Sequence, residues 1–128
     1  HSVEHTLELV PVIIIKKNMA LITLTPNDFS FISINSVSEV FALFAKHRLK
    51  VGLIQQSAID LSLAFDEPEQ GIELLINHLQ QKFEVKYNTG LDLVTIRYYN
   101  PESIVQVSES RKIYVEQKSR RTARILLK

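Results

Sequence analysis

The sequence predicts an α+β fold of two split βαβ (βαββαβ, ferredoxin-like) units, the second incomplete and completed by the N-terminal strand. Three observations carry this. Residues from Met19 to Gly90 read as strand, helix, strand, strand, helix, strand, with a start or stop signal at most joints. The same order begins again at Leu91 and breaks off after its fourth element. A strand-like run, Val12 to Lys17, precedes the first unit and has no place among its four strands. Residues 19–90 therefore form the first unit, and 12–18 plus 91–128 the second. The first is an insertion in the second, whose three strands would otherwise leave a raw sheet edge.

Residues His1 to Leu9 show no firm periodicity. Val12 to Ile15 is β-branched on both faces, which suits a strand buried on both sides. Met19 to Thr25 continues extended until Pro26-Asn27-Asp28 supplies turn chemistry. Phe29, Phe31, Ile32 and Ile34 then lie between a turn and a helix start. They are expected to tuck onto the core as a loop; the sharper alternative is a hydrophobic lip over a ligand or partner.

Ser36 and Glu39 have the spacing of a capping box for the first helix, and Val37, Val40, Phe41, Phe44 and Ala45 form its apolar stripe. Lys46, His47 and Arg48 place positive charge at its C-terminal end, where the helix dipole favours it. Val51 to Gln56 is a strand, Ser57-Ala58 a tight link, and Ile59 to Phe65 an alternating strand. Asp66, with Glu67, Pro68 and Glu69 after it, is expected to cap a second helix whose stripe is Ile72, Leu75, Ile76 and Leu79. Phe83 to Tyr87 is a strand closed by Asn88-Thr89-Gly90.

Leu91 to Tyr99 restarts the pattern as a strand. Asn100-Pro101-Glu102 gives an N-cap, a proline at the first helical position and an acid in the first turn. The third helix runs to about Lys112, followed by strands Ile113–Gln117 and Ala123–Leu127. Each helix has one apolar stripe only, so the helices should pack on one face of an antiparallel sheet.

Composition sets bounds on function. The chain of 128 residues is 45% hydrophobic and 23% charged, which allows one domain or two very small ones with a core. A net charge of +1 disfavours nucleic acid as a partner of the whole chain. The absence of cysteine excludes disulfides and thiolate chemistry and suits the cytoplasm. Val10 to Ile15, interrupted by Pro11, is too short to span a membrane. His1, His5, His47 and His78 have no paired spacing for zinc, so no metal site is expected, and His78 reads as a solvated helix residue. Gly52, Gly71 and Gly90 make no phosphate loop. Asp60 and Asp66 flank a strand without forming an acid–base pair. The basic segment from Arg111 to Lys128 reads as a solvated strand edge, with RNA contact as the alternative.

Four stretches together resemble tandem ACT domains and, more closely, the C-terminal regulatory region of aspartate kinases. They are Lys16 to Leu24, Ser38 to His47, Val51 to Leu63 and Arg111 to Arg120, and the likeness runs from about Val12 to the end. It agrees with the insertion argued above. The resemblance implies a regulatory module of an ATP-dependent phosphotransferase, with the kinase domain of the same polypeptide N-terminal to this chain. The chain itself would be non-catalytic and need no cofactor; ATP and Mg would belong to the kinase domain. It also implies a homodimer and an amino-acid effector, lysine or threonine. Carried over by position, the effector site is Asn27, Asp28, Phe29, Asn35, Ser36 and Val37 on one side. On the other it is Gly52, Gln55, Gln56, Ser57 and Ala58. Two acids usual in the family are replaced here by Gly52 and Ala58, leaving Asp28 to meet an ammonium group. The amides of Val37 to Glu39 would hold the carboxylate. Weak or no lysine binding is the expectation. An assembly module without a ligand, and a ferredoxin-like RNA binder, are the competing readings.

Overall fold

The computed structural model describes residues 9–128. His1, His5 and most of the aperiodic leader lie outside the described residues. Six strands and three helices follow in the order β1 (Val12–Pro26), α1 (Ile34–Lys46), β2 (Val51–Gln56), β3 (Leu61–Asp66), α2 (Ile72–Leu79), β4 (Phe83–Arg97), α3 (Pro101–Ser108), β5 (Ile113–Lys118) and β6 (Thr122–Leu127). The strands are hydrogen-bonded in the order β2-β3-β1-β4-β6-β5. The chain divides into one unit of Asn18–Leu91 and another that joins residues up to Lys17 with Asp92–Lys128.

Asn18–Leu91 has the strand order β2-β3-β1-β4, that of a split βαβ unit. β1 pairs with β3 antiparallel from Met19↔Asp66 to Leu24↔Leu61. Alternation then puts Ala20, Ile22 and Leu24 on the same face as Leu61, Leu63 and Phe65. Val40 and Phe44 of α1 and Leu75 and Leu79 of α2 bury against that face, and the Phe44 ring meets Phe65 edge-on at 5.5 Å. The other unit packs α3, through Ile104 and Val107, on Val94, Ile96, Ala123, Ile125 and Leu127. The β1–β3 ladder reaches only to Met19, and Val12–Lys17 groups with the second unit. In that unit Asp92 accepts a hydrogen bond from Arg111 Nη2 at 2.7 Å and lies 3.8 Å from Lys17 Nζ.

Several joints differ from the sequence expectation. β4 runs unbroken through Asn88-Thr89-Gly90, where the sequence signals a break, and β1 runs unbroken through Asn18. Asn18 (φ 61°) and Gly90 (φ 69°) take the left-handed conformation inside their strands, which kinks a ladder without ending it. Glu67 fixes both: its N–H donates to Asn18 O at 2.9 Å, and its carboxylate accepts from Gly90 N at 3.2 Å. Asn88-Thr89-Gly90 is therefore strand, not turn.

Asp66 does not cap α2. Its N–H donates to Lys50 O at 3.1 Å, so its backbone belongs to the sheet, and α2 begins six residues later behind Gly71 at φ 86° without a side-chain cap. Ser36 does not cap α1 either. Ser33 does, accepting from Ser36 N at 3.1 Å, while Glu39 pairs instead with Lys82 at 2.9 Å. α1 ends with Arg48 at φ 56°; Arg48 N bonds Ala45 O and Leu49 N bonds Phe44 O, a Schellman arrangement made without glycine. β3 begins at Leu61, and Ile59 sits exposed in the preceding turn. α3 has the predicted Asn100 cap, completed as a box by Ser103, but stops at Ser108. Finally, Phe29, Phe31 and Ile34 are 85%, 76% and 87% exposed, so the segment expected to tuck onto the core is an apolar lip, with only Ile32 turned inward.

Candidate functional site

The lip borders a hollow of about 360 Å³ where β1 turns toward α1. The ladder builds one wall: Asn27 N donates to Lys82 O at 3.0 Å, so the end of β1 and the start of β4 lie side by side. Asn27 Nδ2 reaches Gln80 O at 3.4 Å. Asp28 then closes an Asx turn, its Oδ1 accepting from Ser30 N at 3.0 Å. The Ser30 hydroxyl, and after it the Ser30 N–H, hold the Asp28 carboxyl below the usual carboxylate range. Phe29 follows at φ 59°, which throws its ring outward.

Ser30, Ser33 and Ser36 line the hollow from the α1 side, and Gln81, Lys82 and Phe83 from the β4 side. The polar and apolar portions of the lining are about equal, and the charges are one carboxylate, Asp28, and one ammonium, Lys82, the latter held by Glu39. A small zwitterion presents the complementary pair. The expected amide contribution needs correcting. Val37 N already donates to Ser33 O at 3.0 Å, so Val37 to Glu39 lie inside the helix, and the first turn of α1 begins at Ile34 and Asn35.

Of the residues carried over by position, Asn27, Asp28 and Ser36 line the hollow. Phe29 and Asn35 stand exposed beside it, and Val37 packs half-buried on the unit's core. Gly52, Gln55, Gln56, Ser57 and Ala58 do not line it. Gly52 falls in the register shift of β2, Gln55 and Gln56 end that strand exposed, and Ser57 closes the β2–β3 turn by donating to Asp60 Oδ1 at 2.8 Å. One bond links the two sides: Ile32 N donates to Ala58 O at 3.0 Å. Ser30, Ser33, Gln81, Lys82 and Phe83 were missed. The signal for the last three was available, because in a split βαβ order the residue before β4 neighbours the end of β1.

Among the described residues no group of three His, Cys, Asp or Glu side chains is placed to hold a metal ion. None of the described helices is long and apolar enough to cross a membrane.

No protein-family model and no curated protein matches the sequence. Solved structures do. The chain is similar to aspartokinase III of E. coli, solved with lysine and aspartate, at 21% identity and TM-score 0.71 over 90% of this chain. It spans 28% of that enzyme's length. It is similar to a putative C-terminal regulatory domain of aspartate kinase from Porphyromonas gingivalis W83, at 15% identity and TM-score 0.74, covering 93% of this chain and 86% of that one. The ligand-free regulatory subunit of aspartate kinase from Thermus thermophilus aligns at 16% identity and TM-score 0.64, over 90% and 85% of the two chains. The chain has the ACT-type fold of aspartokinase regulatory regions.

Proposed function

We propose that this chain is the regulatory region of an aspartokinase and that the hollow beside Asp28 receives an amino-acid effector. The carrying observation is that one carboxylate, Asp28, and one ammonium, Lys82, both line a hollow at the β1–α1 joint, within a fold shared with aspartokinase regulatory parts over nearly the whole chain. The effector's ammonium would meet Asp28 and its carboxylate Lys82 and the first amides of α1. Lysine and threonine are the candidates. Gly52 and Ala58 offer no carboxylate, and a charged hydrogen bond is worth roughly 1.5–3 kcal/mol. Lysine binding should therefore be about ten- to a hundredfold weaker than in a site with one more acid.

Regulation would act on a kinase domain of the same cytoplasmic polypeptide, which would use ATP and Mg; this chain would contribute no catalytic group or cofactor. The exposed Phe29, Phe31 and Ile34, with Val51 and Ile54 of β2, supply the apolar surface for a homodimer of the first unit. Thermal melting with each of the twenty amino acids tests the reading, since a ligand that binds only the folded state raises the melting temperature. The expected result is a rise with lysine or threonine that Asp28→Ala abolishes. No rise with any of them, in a chain shown dimeric by light scattering, would leave an assembly module.

A further inference from the structure

A second hollow, of about 330 Å³, opens between α1 and α2 and has a different character. Its floor is apolar: Val40 and Leu79 are buried, Phe83 nearly so, and Leu43 is half-buried. Its exposed rim carries Lys46 from the last turn of α1, His78 from the last turn of α2, and the ion pair of Lys82 with Glu39. Lys82 is paired with Glu39. Lys46 and His78 have no ion pair among the described residues. An apolar trough with an unmatched cationic end, in the volume range of small-ligand pockets, matches a molecule with an apolar tail and one negative head. A free amino acid does not fit this description, because its ammonium would face Lys46.

We propose that the trough between α1 and α2 binds a medium-chain carboxylate, its tail along Leu43, Leu79 and Phe83 and its head at Lys46 and His78. The site is separate from the effector hollow in its chemistry, although Gln81, Lys82 and Phe83 line both. It does not depend on the effector reading. A neutral alcohol of the same length buries the same tail but offers the Lys46 ammonium no charge, so the head and tail contributions can be measured apart.

The test is calorimetric titration of the full chain with hexanoate, heptanoate, octanoate and octan-1-ol, with amide shifts followed by NMR. Affinity should rise about two- to fourfold per added methylene, as expected for a partly to fully buried CH₂. Octanol should bind about tenfold more weakly than octanoate, the loss of one charged hydrogen bond. The largest amide shifts should fall on 42–46 and 78–83. Lys46→Glu should weaken octanoate about tenfold or more and leave octanol unchanged. This exposed substitution does not touch the core, so it serves even where Leu43→Glu fails to fold. Octanol binding as tightly as octanoate would overturn the proposal. So would an unchanged affinity in Lys46→Glu, shifts centred on Asp28, or no binding in the millimolar range.

Discussion

The β2–β3 and β5–β6 hairpins perform the same task in their two units with different chemistry. Each has six-residue strands, and in each the outer strand slips register at its second residue: Val51↔Phe65 is followed by Leu53↔Ala64, and Ile113↔Leu127 by Val115↔Leu126. The slipped residue is Gly52 in one and Tyr114 in the other. Each turn is four residues closed from a serine, Ser57 N to Asp60 O at 2.9 Å and Ser119 N to Thr122 O at 2.8 Å. Each turn is tied to the segment that enters the unit's first helix. In the first unit a backbone bond does this, Ile32 N to Ala58 O; in the second a side chain does, Tyr99 Oη to Ser119 O at 3.1 Å. The geometry is common to both hairpins and the residues are not. A slip that accepts tyrosine, at a φ outside the left-handed region in both hairpins, does not require glycine.

The strongest test of that equivalence is at the partners of the slip, Phe65 and Leu127, both fully buried. Phe65→Ala should cost roughly 3–5 kcal/mol and Leu127→Ala roughly 2–5 kcal/mol in denaturant unfolding, from lost transfer energy and the cavity left. Phe65 should be the costlier because its ring also meets Phe44. A negligible loss at Leu127 would mean that the second hairpin carries no core of its own. Next in size is the tie. Tyr99→Phe removes one hydrogen bond from an exposed site and should cost about 1 kcal/mol, with the ring's packing against the second core retained. An unchanged midpoint would show that this tie, unlike its backbone counterpart, is ornamental to stability.

These joints explain what could be read in advance. The order of elements was legible because it rests on periodicity: alternation in β3, and the 3.6-residue stripe of Val40 and Phe44. The Asn100 cap was legible because cap, proline and acid are adjacent. The caps of α1 and α2 were displaced because local signals lost to the sheet. Asp66 has the side chain of a cap, but its backbone bonds to Lys50. Asn88-Thr89-Gly90 has the composition of a turn, but Glu67, distant in sequence, holds Gly90 in the strand. The lining of the hollow was legible only at three residues. Asn27, Asp28 and Ser36 are contiguous with a visible joint, whereas Gln81 and Lys82 reach the hollow only through the pairing of β1 with β4.

A smaller effect tests the slip itself. Gly52→Ala should stabilise the chain by about 0.5 kcal/mol, because the folded backbone there is open to any residue and alanine has less freedom to lose from the unfolded chain. A loss of more than about 1 kcal/mol would mean that the absent side chain, rather than the backbone, is what the first hairpin needs.

The smallest effect separates the two helix entries. Between β1 and α1 the first unit places Asp28, whereas Tyr98, Tyr99 and Asn100 between β4 and α3 offer no acid. In the folded chain Ser30 holds the Asp28 carboxyl below its ordinary value near 3.8. A folded value depressed below the unfolded one means that the contribution is fully present above the unfolded value and is lost as pH falls through the folded one. The native chain should therefore weaken on acidification from about pH 5 to pH 3 more than Asp28→Asn does, and the two should run parallel above about pH 6. Asparagine keeps an oxygen for Ser30, so the two should be close in stability at neutral pH. Any effector whose ammonium meets Asp28 should lose affinity over the same acid window. Identical acid limbs in the two proteins, measured by urea unfolding at each pH, would remove Asp28 from the set of groups that distinguish the first unit from the second.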